Sequence, residues 1–145
     1  MVPLLGGLAI RDINAEETQT LGYFSPKQHD NGEYLIQSSY SFVDESNRLV
    51  CPTNNNHVLM LKATDEDGNV LPEFEKVLDI DIKAAAEAAL GKTLDQNLLA
   101  VVFDYEGNLW FATGGFRIYP DRKQQGAMGY ISRTAIDAIL NGEGN

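Results

Sequence analysis

The stretch "FDYEGNLWFATGG", Phe103 to Gly115, sets strand chemistry on both sides of an acidic turn. Leu98 to Phe103 is apolar and partly β-branched, fit for a buried strand. Asp104 to Asn108 is turn chemistry. An Asp side chain accepts from backbone N–H groups two residues on, and Gly107 adopts a positive φ without steric cost. Leu109 to Ala112 then resumes an apolar strand. The stretch predicts a hairpin.

A second hairpin of the same kind lies upstream. "VDESNRLVCPT", Val43 to Thr53, overlays "FDYEGNLWFAT", Phe103 to Thr113, at an offset of 60 without a gap. Asp44 meets Asp104, Asn47 meets Gly107, Leu49 meets Leu109, Val50 meets Trp110 and Thr53 meets Thr113. Asn47 is the next-best residue for a left-handed turn position. Strand-like runs, "SSYSFV" and "LLAVVF", precede the two copies.

The similarity extends downstream. "HVLMLKATDEDGNVLPEFEKVL" reads as a third strand, a turn at Asp67-Gly68 and a fourth strand. "FRIYPDRKQQGAMGYIS" reads as a shorter hairpin in the same place. A helix closes each unit: "DIKAAAEAALG", capped near Asp81 and ending at Gly91, and "SRTAIDAILNG", starting at Ser132 or Thr134 and ending at Gly142. The alanine-rich helix reads as packing against a sheet. "GGLAIRDINAEETQTLGYF" reads as strand, turn, strand, equivalent to the last two strands of a preceding unit. The expected division is residues 1–33, a partial unit; 34–97, a unit with its helix; and 98–145, a second unit with its helix. The fold class expected is mainly β, with antiparallel four-stranded units and two short helices.

Such a unit resembles a β-propeller blade, and "DYEGNLWFAT" is similar to a hairpin common in gluconolactonase/regucalcin-like lactonases and in quinoprotein-like propellers. The chain also looks like part of a bacterial propeller family with a long, helix-bearing blade. Propellers have four to eight blades. The two and a half expected here imply a piece of a longer propeller, several chains closing a ring, or units that pack as an ordinary sandwich. Open blade edges then imply self-association.

Composition bounds the partners. The chain has 145 residues, a size usual for one domain, and 43% of them are hydrophobic. Eleven basic against 21 acidic residues give a net charge of −10, which argues against a grip on nucleic acid or anionic membranes. Cys51 is the single cysteine, so no internal disulfide forms, and its apolar surroundings predict a small core residue. The start, "MVPLLGGLAIRD", lacks a basic n-region, and no run approaches the roughly 18 apolar residues of a membrane span. The expectation is a soluble chain with no compartment indicated.

Three chemistries can be weighed. An EF-hand loop carries Gly at its sixth position, whereas "DYEGN" and "DEDGN" carry it at the fourth. Both are read as turns. In the lactonases, an Asp five residues before the hairpin Asp is a recurrent active-site ligand. Here those positions are Leu99 and Ser39, and the nearest carboxylate, Asp95, is displaced by four. A quinoprotein needs a cofactor bed from several blades, and Trp110, the sole tryptophan, reads as a strand packing residue.

The propeller resemblance implies that the loop between second and third strands shares a rim with the loop leading into the next unit. That rim gathers Gln28, His29, Asp30, Asn31, Asn54, Asn55, Asn56, His57, Asp95, Gln96, Asn97, Gly114, Gly115 and Arg117. The candidate ligand-binding set is His29, Asn54, Asn55, Asn56, His57, Asp95, Asn97 and Arg117. Amides and neutral imidazoles suit a small neutral polar ligand or a divalent ion. The same residues are also ordinary loop formers, and Arg117 can simply pair with Asp121. The function expected is a binding or interaction scaffold with this polar rim, without a cofactor, engaging a small polar ligand or a protein. The alternative is a metal-dependent lactonase-type hydrolase using Ca²⁺ and ligands from further blades. A third class is a quinoprotein-like oxidoreductase.

Overall fold

In a computed structural model of the chain, the structure describes residues 8–12, 14, 16–17, 19–24, 41–94, 97–114 and 126–142. The protein is mainly β. Strands β1 (Leu8–Asp12), β2 (Gln19–Phe24), β3 (Phe42–Val43), β4 (Arg48–Pro52), β5 (His57–Thr64) and β6 (Val70–Asp81) come first. Helix α1 (Ile82–Leu90) follows, then β7 (Asn97–Phe103), β8 (Leu109–Gly114), β9 (Met128–Ile131) and helix α2 (Arg133–Leu140). Six strands form one mixed sheet in the order β1-β2-β6-β5-β4-β3; β7-β8-β9 form a second, antiparallel sheet.

The hairpins form as the sequence chemistry dictates. The loops beginning at Asp44, Asp65 and Asp104 share one hydrogen-bond pattern. In each, Asp Oδ1 accepts from the backbone N–H groups two and four residues on, at 2.8–2.9 Å. The fourth residue has a positive φ: 59° at Asn47, 84° at Gly68 and 85° at Gly107. A left-handed residue closes a short loop that would otherwise splay the strands.

β3 to β6 run as a consecutive antiparallel meander, the four-stranded unit expected. α1 starts at N-cap Asp81, whose Oδ1 accepts from Ala84 N–H at 2.9 Å, and ends at left-handed Gly91. Ile82 and Ala86 are its buried residues, in line with a packing helix. α2 takes Ser132, not Thr134, as its N-cap.

Two features differ from expectation. The N-terminal hairpin is hydrogen-bonded to the edge of the meander, where Tyr23 pairs in parallel with Glu73. Gly22 permits the close approach: a Cβ there would lie 1.9 Å from the Leu71 carbonyl oxygen. Periodicity does not encode which edge a hairpin chooses. Second, "MGYI", expected in a fourth strand, takes the third-strand position as β9, paired with β8, and leads directly into α2. The Thr113 hydroxyl fixes this register by accepting from Ala127 N–H at 2.7 Å. All of "FRIYPDRKQQ", and most of the strand-like run before Phe42, lies outside the described residues.

Side chains alternate across each strand, so the meander has two faces. Val50, Val58, Met60 and Leu78 face a core shared with Leu98, Val101, Leu109, Phe111, Ile136 and α1. Cys51, Leu59, Leu61 and Ala63 face a second core with Phe24 and Phe74, under the curl of the six-stranded sheet. β5 is buried on both faces, which explains its unbroken apolar run. Cys51 is a core residue as expected, and burial raises its thiol pKa to about 11. Trp110 packs within its sheet, its ring 5.0 Å from that of Tyr130 between centroids, on the exposed face of β8.

Candidate functional site

The β4–β5 loop carries Asn54, Asn55 and Asn56, with His57 opening β5, and hydrogen bonds of the fold occupy much of it. Thr53 is fully buried; its Oγ1–H donates to Asn55 Oδ1 at 2.6 Å and its oxygen accepts from His57 N–H at 3.1 Å. Asn56 holds a left-handed φ of 74°. Its carbonyl accepts from Ile82 N–H at 3.0 Å and its Oδ1 from Leu98 N–H at 2.8 Å. One asparagine thus ties the loop to the start of α1 and to β7. This brings Asn97, at the start of β7, to the same end of the molecule as Asn54, Asn55, Asn56 and His57. His29, Asp95 and Arg117 lie outside the described residues, as do Gln28, Asp30, Asn31, Gln96, Gly115 and Asp121.

His57 sits between two carboxylates that sequence spacing did not single out. Its Nδ1 lies 2.5 Å from Asp79 Oδ1, and its Nε2 lies 3.6 Å from Asp81 Oδ2. Lys76 Nζ lies 3.4 Å from the other oxygen of Asp79. The signal was the alternation of Asp79 and Asp81 along one face of β6, opposite His57 in the ladder. Both ring nitrogens face carboxylates instead of a shared point. Among the described residues, no three His, Cys, Asp or Glu side chains are grouped so as to hold a metal ion. The described residues therefore do not fit the Ca²⁺ of a lactonase-type site, and no catalytic step through a metal follows from them.

The opposite end of the strands holds a cleft of about 640 Å³, lined by residues of the β3–β4 and β7–β8 hairpins and by α2. Phe42 and Phe103 meet edge to face within it, centroids 6.0 Å apart. Val43, Val102, Ile136 and Leu140 extend the apolar lining. Its charged lining residues are Asp44, Glu45, Asp104 and Asp137 against Arg48 and Arg133, four acids to two bases. Arg48 Nε is committed to Asp44 Oδ2 at 2.8 Å, and Arg133 Nε lies 3.6 Å from Asp137.

Asp104 anchors this end. Its Oδ2 accepts from the Trp110 indole N–H at 2.8 Å and from Asn108 Nδ2–H at 3.0 Å. These bonds, led by the indole, lower its pKa to about 2, so it stays ionised. Asn108 Oδ1 in turn accepts from Arg133 N–H at 3.0 Å, fixing α2 against the hairpin. Sequence reading found both hairpins and the helix, but not that their turns converge with α2. The aligned Asp44 and Asp104 turns were the available signal. Comparison with protein-family models, curated proteins and solved structures returns no match.

Proposed function

We propose that this chain is a non-catalytic binding scaffold built of β-propeller-like units, and that its ligand occupies the cleft between the two hairpins and α2. The observation that carries this reading is the cleft itself. Its volume of about 640 Å³ falls in the range of small-molecule sites. Aromatic and aliphatic side chains supply apolar area, while acids outnumber bases at its walls. Opposite charge is favoured where a cleft concentrates one sign. The ligand class that fits is a small amphipathic cation: an apolar body bearing an amine. The expected rim at the other end serves mainly as framework, because Thr53, Asn55 and Asn56 hold the loop, α1 and β7 together.

The test is a titration of the ¹⁵N-labelled protein with 2-phenylethylamine, followed by amide chemical shifts. 2-Phenylethanol and phenylacetate are the neutral and anionic controls. Saturable shifts at Phe103, Tyr105, Arg133 and Leu140 with the amine, and weaker ones with the controls, support the cleft. No saturable shift up to about 10 mM, a bound weaker than any useful small-ligand affinity, would refute it.

A further inference from the structure

The four acids that line the cleft are not equally available to a ligand. Asp44 Oδ1 accepts from the backbone N–H groups of Ser46 and Arg48, and its Oδ2 pairs with Arg48 Nε at 2.8 Å. Asp104 Oδ1 accepts from the N–H groups of Glu106 and Asn108, and its Oδ2 from the Trp110 and Asn108 side chains. Both oxygens of both carboxylates are thus committed to the hairpins they close. Asp137 differs. Its contact with Arg133 Nε is long, 3.6 Å, and the two side chains are 55% and 63% exposed. An exposed ion pair of this kind is worth little.

Helix α2 places Asp137 beside the apolar lining. Leu140 stands three residues on and Arg133 four residues back, the spacings that make neighbours on a helix surface. The cleft takes in the last turn of α2, with Asp137, Leu140 and the C-cap Asn141 among its lining. The carbonyl end of a helix carries partial negative charge and favours a cation, and no basic residue stands in that turn. Glu45, the fourth acid, is an exposed residue of the β3–β4 turn, whereas Asp137 belongs to the helix itself. The Arg133 stem crosses the β7–β8 turn, where a Cβ at Gly107 would lie 3.0 Å from Arg133 Cδ. Its backbone N–H stays bonded to Asn108 Oδ1, so the guanidinium can leave while the start of α2 holds.

We infer that Asp137 is the counter-ion of the bound amine and that Arg133 is the resident cation the amine displaces. The inference rests on the cleft being the ligand site. The amine meets the Asp137 carboxylate and the carbonyl end of α2, while its apolar body lies against Leu140, Phe42 and Phe103. The displaced guanidinium turns to solvent. The internal pair makes the cleft selective. A neutral ligand gains no charge contact by breaking the pair; a cation replaces one positive group with another.

Titration of 2-phenylethylamine into the ¹⁵N-labelled wild type and single variants tests the assignment. Asp137→Asn should weaken the amine at least about tenfold, and Arg133→Gln should tighten it about threefold. In the Asp137→Asn background, Arg133→Gln should tighten it less, the coupling that a double-mutant cycle measures. Glu66→Gln removes the same charge from the exposed β5–β6 turn, outside the cleft, and should change affinity by less than about twofold. 2-Phenylethanol should bind every variant alike, and circular dichroism should be unchanged. If Asp137→Asn fails to fold, the Arg133→Gln arm decides, and an affinity no higher than wild type overturns the inference. A wild type that binds the amine no better than Asp137→Asn overturns the inference and leaves the cleft reading standing. So does a Glu45→Gln variant that weakens the amine as much as Asp137→Asn. No saturable shift in the wild type overturns the cleft reading itself, and this inference with it.

Discussion

Asn56 accepts the Leu98 amide on its side-chain oxygen at 2.8 Å while its own backbone stands at a φ of 74°. Two separate demands therefore fall on one residue: a left-handed conformation, and an acceptor that reaches the next unit. Asn56→Gly keeps the first and loses the second; Asn56→Ala loses both. The glycine variant should lose about 1–3 kcal/mol, from the orphaned Leu98 N–H, and the alanine variant about 1 kcal/mol more from backbone strain. Urea unfolding checks this. Equal losses in the two variants would show that the left-handed backbone contributes nothing.

Gly22 presents a steric prediction. A Cβ at this position meets the Leu71 carbonyl oxygen at 1.9 Å and Phe74 Cε1 and Val70 Cγ1 at 2.9 Å. Backbone cannot move aside as a flexible side-chain tip does. Gly22→Ala should separate β2 from β6 and cost about 1–3 kcal/mol, the usual range for overpacking. Hydrogen exchange should show lost protection in β2 with β7–β9 unchanged. Full protection of the β2 amides in the variant would contradict the register at Tyr23 and Glu73.

These two residues mark how far the sequence could be read. Asp44, Asp104 and Gly107 announce their hairpins because the turn chemistry is local: the side chain bonds amides two and four residues away. Asp81, Gly91 and Ser132 mark helix ends for the same reason. The edge that the β1–β2 hairpin joins depends on the empty space over Gly22, which no local pattern records. That Trp110 packs in its strand was legible, because aromatic strand residues usually do; the face it occupies was not. Its exposure follows from having no further sheet in the described structure to cover it. Asn54, Asn55, Asn56 and His57 were recognised as polar and clustered; that Asn56 binds Leu98, 42 residues on, required the fold.

Asp104 gives a pH prediction. The ordinary value for this carboxyl is 3.8, and the indole and amide hydrogen bonds lower it to about 2 in the folded chain. A depressed folded pKa means that the unfolded chain binds the proton more readily. The contribution of Asp104 is complete above about pH 4 and is lost as pH falls through about 2. Asp104→Asn removes that titration. Between pH 5 and 2, stability of the wild type should fall more steeply than that of the variant, with Trp110 emission changing in the same window. Parallel curves would mean that Asp104 does not couple to folding.

His57 separates scaffold from hydrolase. Its ring nitrogens face Asp79 and Asp81, so removing the ring takes away the group that both carboxylates contact beside the start of α1. Asp81 keeps its cap on Ala84, and Lys76 keeps its contact with Asp79. His57→Gln retains polarity at the site but not the imidazole bridge between the acids. The variant should lose about 1–2 kcal/mol of stability, as expected for charge-assisted bonds at a partly exposed position discounted for solvent screening. For the wild type, millimolar Ca²⁺ or Zn²⁺ should leave the melting temperature unchanged, because the donor atoms face each other. A specific metal that binds the folded chain at a hundred times its Kd would add about 2.7 kcal/mol, a shift readily seen by calorimetry. A saturable rise in Tm with either metal, abolished by His57→Gln, would restore the hydrolase reading and locate its cation at this rim.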